Sequence, residues 1–317
     1  MVHWTDQEVT VRAAATSANL GPGFDSLGLA LSLHDTVRAR VVSSGVSVTV
    51  TGTGADDVDR GEGHLVIKAM RAAFASMGAQ PPGIAISCGN EVPQGFGLGS
   101  SAAAIVSGVL AARALAGTEG AAALPDDAVL HLATLLEGHP DNVAACLLGG
   151  LTVCWTTGAV VRAARLTPLP GLVPVLCVPA VPLWTHAARK ALPDLVPHAD
   201  AAANSARAAL LIAGLTGRPD LLLPGTQDFL HQSYRAAAMP ATAALIERLR
   251  AAGIAAVVSG AGPSVLALTI GGSECGPAEL GPAGVAKIAA EDGPVWRVLP
   301  LEVDNEGALA TAGPATP

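Results

Sequence analysis

Pro93-Gln94-Gly95-Phe96-Gly97-Leu98-Gly99-Ser100-Ser101-Ala102-Ala103-Ala104 is the stretch on which the reading of this chain turns. Three glycines at alternate positions give way to two serines and an alanine-rich run, the pattern of a tight loop feeding a helix. Glycine accepts positive φ and lets the backbone come close to a ligand, so successive N–H groups can point into one concavity. The helix start adds unpartnered N–H donors and the positive end of a dipole, a combination that binds phosphate. Ser100 and Ser101 can cap that helix, and one hydroxyl can ligate Mg²⁺, for which Ser101 is our choice. There is no Gly-Lys-Ser/Thr and no lysine nearby, so this is not a Walker A loop. Backbone and dipole must do the work lysine does there.

Outward from the loop, composition narrows the field. The chain has 317 residues, is half apolar and only 14% charged, and carries a net charge of −8 with three lysines, Lys68, Lys190 and Lys287. Roughly a quarter charged is ordinary, and the excess of Ala, Gly, Pro and Arg suggests a GC-rich genome. An acidic chain without a basic stripe is a poor nucleic-acid binder. The longest apolar run, Ala102 to Ala112, is interrupted by Ser107 and Gly108, short of the roughly 20 residues a membrane span needs. The first residues have neither a basic nor an apolar leader pattern. Five cysteines, an odd number without a Cys-x-x-Cys pair, fit reduced thiols rather than disulfides or zinc. These features predict a soluble cytoplasmic protein that binds neither nucleic acid nor membrane.

Along the chain, Val9 to Ala15 reads as a strand leading into a polar loop, Thr16 to Asp25. Thr36 to Val42 and Val46 to Thr51 read as a strand pair around Ser43-Ser44-Gly45. Leu65 to Met77 has helical spacing with Leu65, Ala69, Ala72 and Ala73 on one face. Ile84 to Cys88 reads as a strand. Helices are expected from Ser100 to Ala116, Asp126 to Leu136, and beyond His139 to the stop at Gly149-Gly150. The proline-rich piece Thr167 to Pro182 reads as the passage between two domains, 1–165 and 166–317; its prolines do not suit a central strand. Then come helices at Ala199 to Leu215 and Ala241 to Ala252, strands at Ala255 to Val258 and Val265 to Ile270, and a frayed tail from Thr311.

The loop, with Ala15-Thr16-Ser17-Ala18-Asn19-Leu20-Gly21-Pro22-Gly23-Phe24-Asp25-Ser26-Leu27-Gly28 before it and Ser259-Gly260-Ala261-Gly262-Pro263-Ser264 after it, resembles the three ordered motifs of the GHMP kinases (galactokinase, homoserine, mevalonate and phosphomevalonate kinases). The first motif and Glu137-Gly138-His139-Pro140-Asp141-Asn142 have the form found in homoserine kinases. The resemblance implies an α+β fold of two domains, an N-terminal one like ribosomal protein S5 domain 2 and a ferredoxin-like C-terminal one. It implies ATP-dependent phosphorylation of the L-homoserine side-chain hydroxyl, in threonine biosynthesis. ATP would sit on Pro93 to Ala103 with Gly260 and Gly262 close by, and Mg²⁺ on Ser101 and Glu137.

By the same resemblance, Asn19, Asp25, His139, Asn142, Arg189 and Arg235 contact the amino acid, and a guanidinium suits its carboxylate. Asn142 stands where mevalonate kinases and galactokinases have an aspartate base; an amide cannot take a proton at neutral pH. Catalysis then rests on positioning and charge neutralisation, which a loose phosphoryl-transfer transition state permits. Asp141 is the rival base. His64 stands where the family often has an asparagine near the adenine. The alternatives are another small-molecule kinase of the superfamily and a non-catalytic nucleotide-binding module. Dimers are the commonest oligomer.

Overall fold

The computed structural model describes residues 3–183, 190–271, 280–291, 293 and 295–313. The first sheet is built on β1 (Glu8–Ala18) and the long β2 (Leu27–Val42), antiparallel with a register shift between Ala14 and Ala15. β3 (Gly45–Gly52) does not pair with β2 as the sequence suggests. β4 (Gly83–Asn90) lies between them, antiparallel to β2 and parallel to β3. The Ser43-Ser44 link passes over the start of β4, where a Cβ on Gly83 would stand 2.4 Å from the Ser44 carbonyl carbon. Only a side-chain-free residue permits that crossing.

On this sheet pack α1 (Leu65–Ser76), α2 (Ser100–Leu115), α4 (Asp126–Glu137) and α5 (Pro140–Leu148), with the short α3 (Gly117–Ala123) after α2. α2 is buried nearly all round, as a central helix must be, and its small residues allow close packing. A Cβ on Gly108 would lie 2.7 Å from the Ala69 Cβ of α1. The buried face of α1 runs through Val66, Met70, Ala73 and Phe74 rather than Leu65, which is half exposed. The hairpin β5 (Leu151–Thr157) and β6 (Val160–Leu166) extends the sheet from β2.

The second sheet has the order β10 (Arg297–Pro300), β7 (Leu172–Val178), β9 (Val265–Ile270), β8 (Ala255–Val258). Its long helices are α6 (His198–Thr216), α9 (Pro240–Ala251) and α10 (Pro282–Glu291), with two short turns, α7 (Leu222–Gly225) and α8 (Gln232–Arg235), before α9. The succession strand, helices, two strands, helix, strand is the ferredoxin-like pattern. Alternate residues face two cores: Val175 and Cys177 pack under α9 and α10, while Leu172, Leu176 and Val178 pack with Leu20, Leu27 and Leu98 of the first half.

Two expectations fail here. The proline-rich passage contains β7, an internal strand. Pro174 is tolerated because it sits just past the end of the β10 pairing, where its carbonyl accepts Leu301 N at 2.8 Å. The expected tail begins as β11 (Leu309–Gly313), which returns to the first sheet and pairs with β1. Asp304 anchors the return, accepting His34 Nε2 at 2.5 Å and the N–H groups of Glu306 and Gly307. Among the described residues no helix is long and apolar enough to cross a membrane.

Candidate active site

The glycine-rich loop Pro93–Gly99 joins β4 to α2. Gly95, Gly97 and Gly99 all have positive φ, as their spacing predicts. Neither serine caps α2: Gly99 is the N-cap, in the left-handed region, and Ser100 and Ser101 occupy the first helical turn. This frees both hydroxyls from the backbone. Ser101 Oγ donates to Glu137 Oε2, the last residue of α4, at 2.5 Å. Burial pushes the Glu137 carboxyl above its ordinary range, and the serine hydrogen bond partly offsets that.

Glycine is also required by contact. A Cβ on Gly97 would stand 2.1 Å from the Ser259 carbonyl oxygen. Thus the loop lies directly on the turn Ser259–Ser264 between β8 and β9. Ser259 Oγ donates to the Gly97 carbonyl at 2.7 Å and lies 2.9 Å from Ser17 Oγ. Three distant segments meet at that one hydroxyl.

The Thr16–Asp25 segment begins as strand and then turns through Asn19, Leu20 and Asp25, all non-glycine residues at positive φ. Such strain persists only where surroundings enforce it. Here Asn19 Nδ2 donates to the Gly260 carbonyl and Asn19 Oδ1 accepts Asp25 N, each at 2.9 Å, while Leu20 is fully buried. Asp141, second in α5, is buried and its Oδ1 accepts Asn142 N at 2.8 Å. Arg235, at the end of α8, is buried with its guanidinium 5.5 Å from the Phe24 ring centre.

These groups enclose one cavity of about 400 Å³. Asn19, Asp25, Glu137, His139, Asp141, Asn142 and Arg235 line it together with Pro93, Gln94, Gly95, Gly97, Leu98, Gly99, Ser100, Ser101 and Gly260. Phe96, Ala102, Ala103 and Gly262 do not. The two alanines point into the core, and Gly262 is set back against Met239. Arg189 lies outside the described residues.

Sequence reasoning missed several supports. Asp35 on β2 accepts Glu91 N and Val92 N at 2.8 and 2.9 Å, just ahead of the loop, and burial pushes its carboxyl up to about 6. A lone acid in an apolar strand was the available signal. The string Asp228–Arg235, which ends on the expected Arg235, also holds His231 and Gln232. Gln232 Oε1 accepts Val258 N at 2.6 Å, tying that string to the third motif. His64 is buried and lines the cavity, with Nδ1 unpartnered.

The arrangement sets a glycine loop with a bare helix start, a serine–carboxylate pair and a buried arginine around one cleft, the kind of concave site with convergent polar groups that binds small molecules. The chain belongs to the GHMP kinases: the family models for their N-terminal and C-terminal domains match residues 64–150 and 199–274. Within them it belongs to the homoserine kinase family. It is 52% identical over 308 residues to the homoserine kinase of Streptomyces coelicolor, covering 96% of each chain. To that of Clavibacter michiganensis it is 47% identical over 305 residues, covering 96% of this chain and 94% of the relative. The crystal structure of homoserine kinase from Cytophaga hutchinsonii superposes with a TM-score of 0.82 at 28% identity, covering 98% and 99% of the two chains. A mevalonate kinase structure, TM-score 0.65 at 12% identity over 94% and 99%, shares the fold.

Proposed function

We propose that this chain transfers the γ-phosphoryl group of ATP to the side-chain hydroxyl of L-homoserine. The hydroxyl oxygen forms the new bond to phosphorus, the bond from phosphorus to the β–γ bridging oxygen breaks, and ADP leaves with that electron pair. The hydroxyl proton passes to a phosphate oxygen or to solvent. The observation that carries the reading is the convergence of the lysine-free phosphate loop and the buried Arg235 on one cavity.

Each side chain has work of its own. The N–H groups of the loop and the start of α2 receive phosphate oxygens. Arg235, with Arg189, takes the amino-acid carboxylate, to which the second N–H of Asn19 can also donate, and Asp25, with His139, orients the amino end. The Ser101–Glu137 pair fits Mg²⁺: it offers oxygens only, faces the cavity, and leaves positions for phosphate and water. Among the described residues no three His, Cys, Asp or Glu cluster as a metal cage, in keeping with an ion held partly by its nucleotide. Bound there, such an ion would supply charge neutralisation for the nucleotide phosphates. Asn142, not an aspartate, stands at the reacting end, which speaks against a mevalonate-type kinase with a carboxylate base.

We further read the chain as two domains, 1–165 and 166–317, with β11 crossing back to the first sheet, and as a cytoplasmic enzyme forming homodimers. An ADP-release assay over homoserine, threonine, serine and mevalonate tests the activity. Homoserine should be turned over in preference to the others; robust turnover of mevalonate with none of homoserine would overturn the assignment.

A further inference from the structure

Thr16 joins the end of β1 to the phosphate loop and to α5. Its N–H donates to the Leu98 carbonyl at 2.9 Å. Its hydroxyl, fully buried, donates to Asn142 Oδ1 at 2.8 Å. Gly99 closes the other side: a Cβ there would stand 2.0 Å from Thr16 Oγ1 and 3.0 Å from Asn142 Oδ1. The hydrogen bond therefore sits directly against the junction of loop and helix. An amide oxygen only accepts and an amide nitrogen only donates, so with the Thr16 hydroxyl donating to Oδ1 the other end of the side chain is the NH₂. With Oδ1 committed to Thr16, Asn142 presents its NH₂ to the cavity it lines.

We propose that Thr16 is a positioning residue that sets the rotation of the Asn142 carboxamide, so that Asn142 meets the reacting oxygens as a hydrogen-bond donor. The inference rests on the phosphoryl transfer proposed above and adds what holds its central amide. A fixed donor stabilises negative charge on the oxygens of the transferring group without having to reorient during the reaction. Released from Thr16, the carboxamide can rotate and turn its oxygen toward the same phosphate oxygens, a repulsive contact. The cost then falls on the transition state more than on binding.

A double-mutant cycle read by ADP release tests this. Thr16→Val keeps the shape and removes the hydroxyl. It should lower kcat by about ten- to a hundredfold while the KM values for ATP and homoserine stay within about threefold. Thr16→Ser should recover most of the lost rate. In an Asn142→Ala background, Thr16→Val should have no further effect, since its target is gone. Equal losses in both backgrounds, or a Thr16→Ser enzyme as slow as Thr16→Val, would overturn the inference, because a purely structural threonine acts independently of Asn142. Should Thr16→Val not fold, Thr16→Ala takes its place in the cycle, with a thermal melt to confirm folding. A wild-type enzyme inactive on homoserine defeats the functional reading and this inference with it; an active wild type with an additive cycle defeats this inference alone.

Discussion

His231 Nδ1 accepts a hydrogen bond from Arg235 Nη1 at 3.2 Å, while His231 Nε2 donates to the Gly21 carbonyl at 2.8 Å. The imidazole is thereby held neutral with its proton on Nε2. Burial, seconded by the Arg235 charge and opposed by Asp228, lowers its pKa and keeps it so. The ring thus fixes Arg235 relative to the backbone of the first motif.

Arg235→Ala is expected to raise the KM for homoserine by about ten- to a hundredfold, as loss of a charge-assisted carboxylate contact does. It should leave the KM for ATP nearly unchanged and change kcat little, because the contact is made in ground and transition states alike. His231→Phe, which keeps the ring and removes both hydrogen bonds, should act in the same direction and more weakly. Steady-state kinetics with each substrate varied check both. An unchanged homoserine KM with collapsed kcat contradicts the role.

Glu137→Gln should lower kcat by about a hundredfold or more and shift the Mg²⁺ requirement to higher concentration. The amide keeps one oxygen for Ser101 Oγ but loses the charge that would face the ion. Initial rates against free Mg²⁺ at saturating ATP read both effects. An unaltered Mg²⁺ curve would remove Glu137 from the metal site.

Asp141→Asn should keep kcat within about tenfold of wild type. The Asp141 carboxylate is occupied in the first turn of α5, accepting Asn142 N, and an amide oxygen can replace it there. Loss beyond about a thousandfold would instead make Asp141 the general base.

Asp35→Asn should stabilise the protein at neutral pH. Burial raises the Asp35 carboxyl to about 6 from an ordinary 3.8, so between those values the folded state binds more protons than the unfolded one. Stability therefore falls as pH rises through that window. The asparagine oxygen can still accept Glu91 N and Val92 N without a buried charge. Melting temperatures should be higher for Asp35→Asn at pH 7.5, with the gap closing below about pH 4; a lower melting temperature at pH 7.5 would refute the account.

The parts legible in the sequence were those that a few neighbouring residues encode. β8 and β9 match the expected spans, and α2 and α4 match to within one residue at each end, because helix periodicity and glycine stops are local signals. Where partners had to be chosen, local pattern failed: β2 and β3 look like a hairpin, and only the strand arriving at Gly83 shows that they are not one. The same holds for supports of the site such as Asp35, which acts on backbone more than 50 residues further along the chain.

The sequence by itself determined the glycine-rich loop, its helix and the chemical inventory of the cleft, since positive φ at glycine and a bare helix start are properties of adjacent residues. Only the tertiary structure decided what those groups do to one another. Thr16 and Asn142 lie 126 residues apart, and Asn19 and Gly260 lie 241 apart. Whether Asn142 offers an acceptor or a donor depends on that first contact, and the contact exists only because β1, α2 and α5 pack around a glycine.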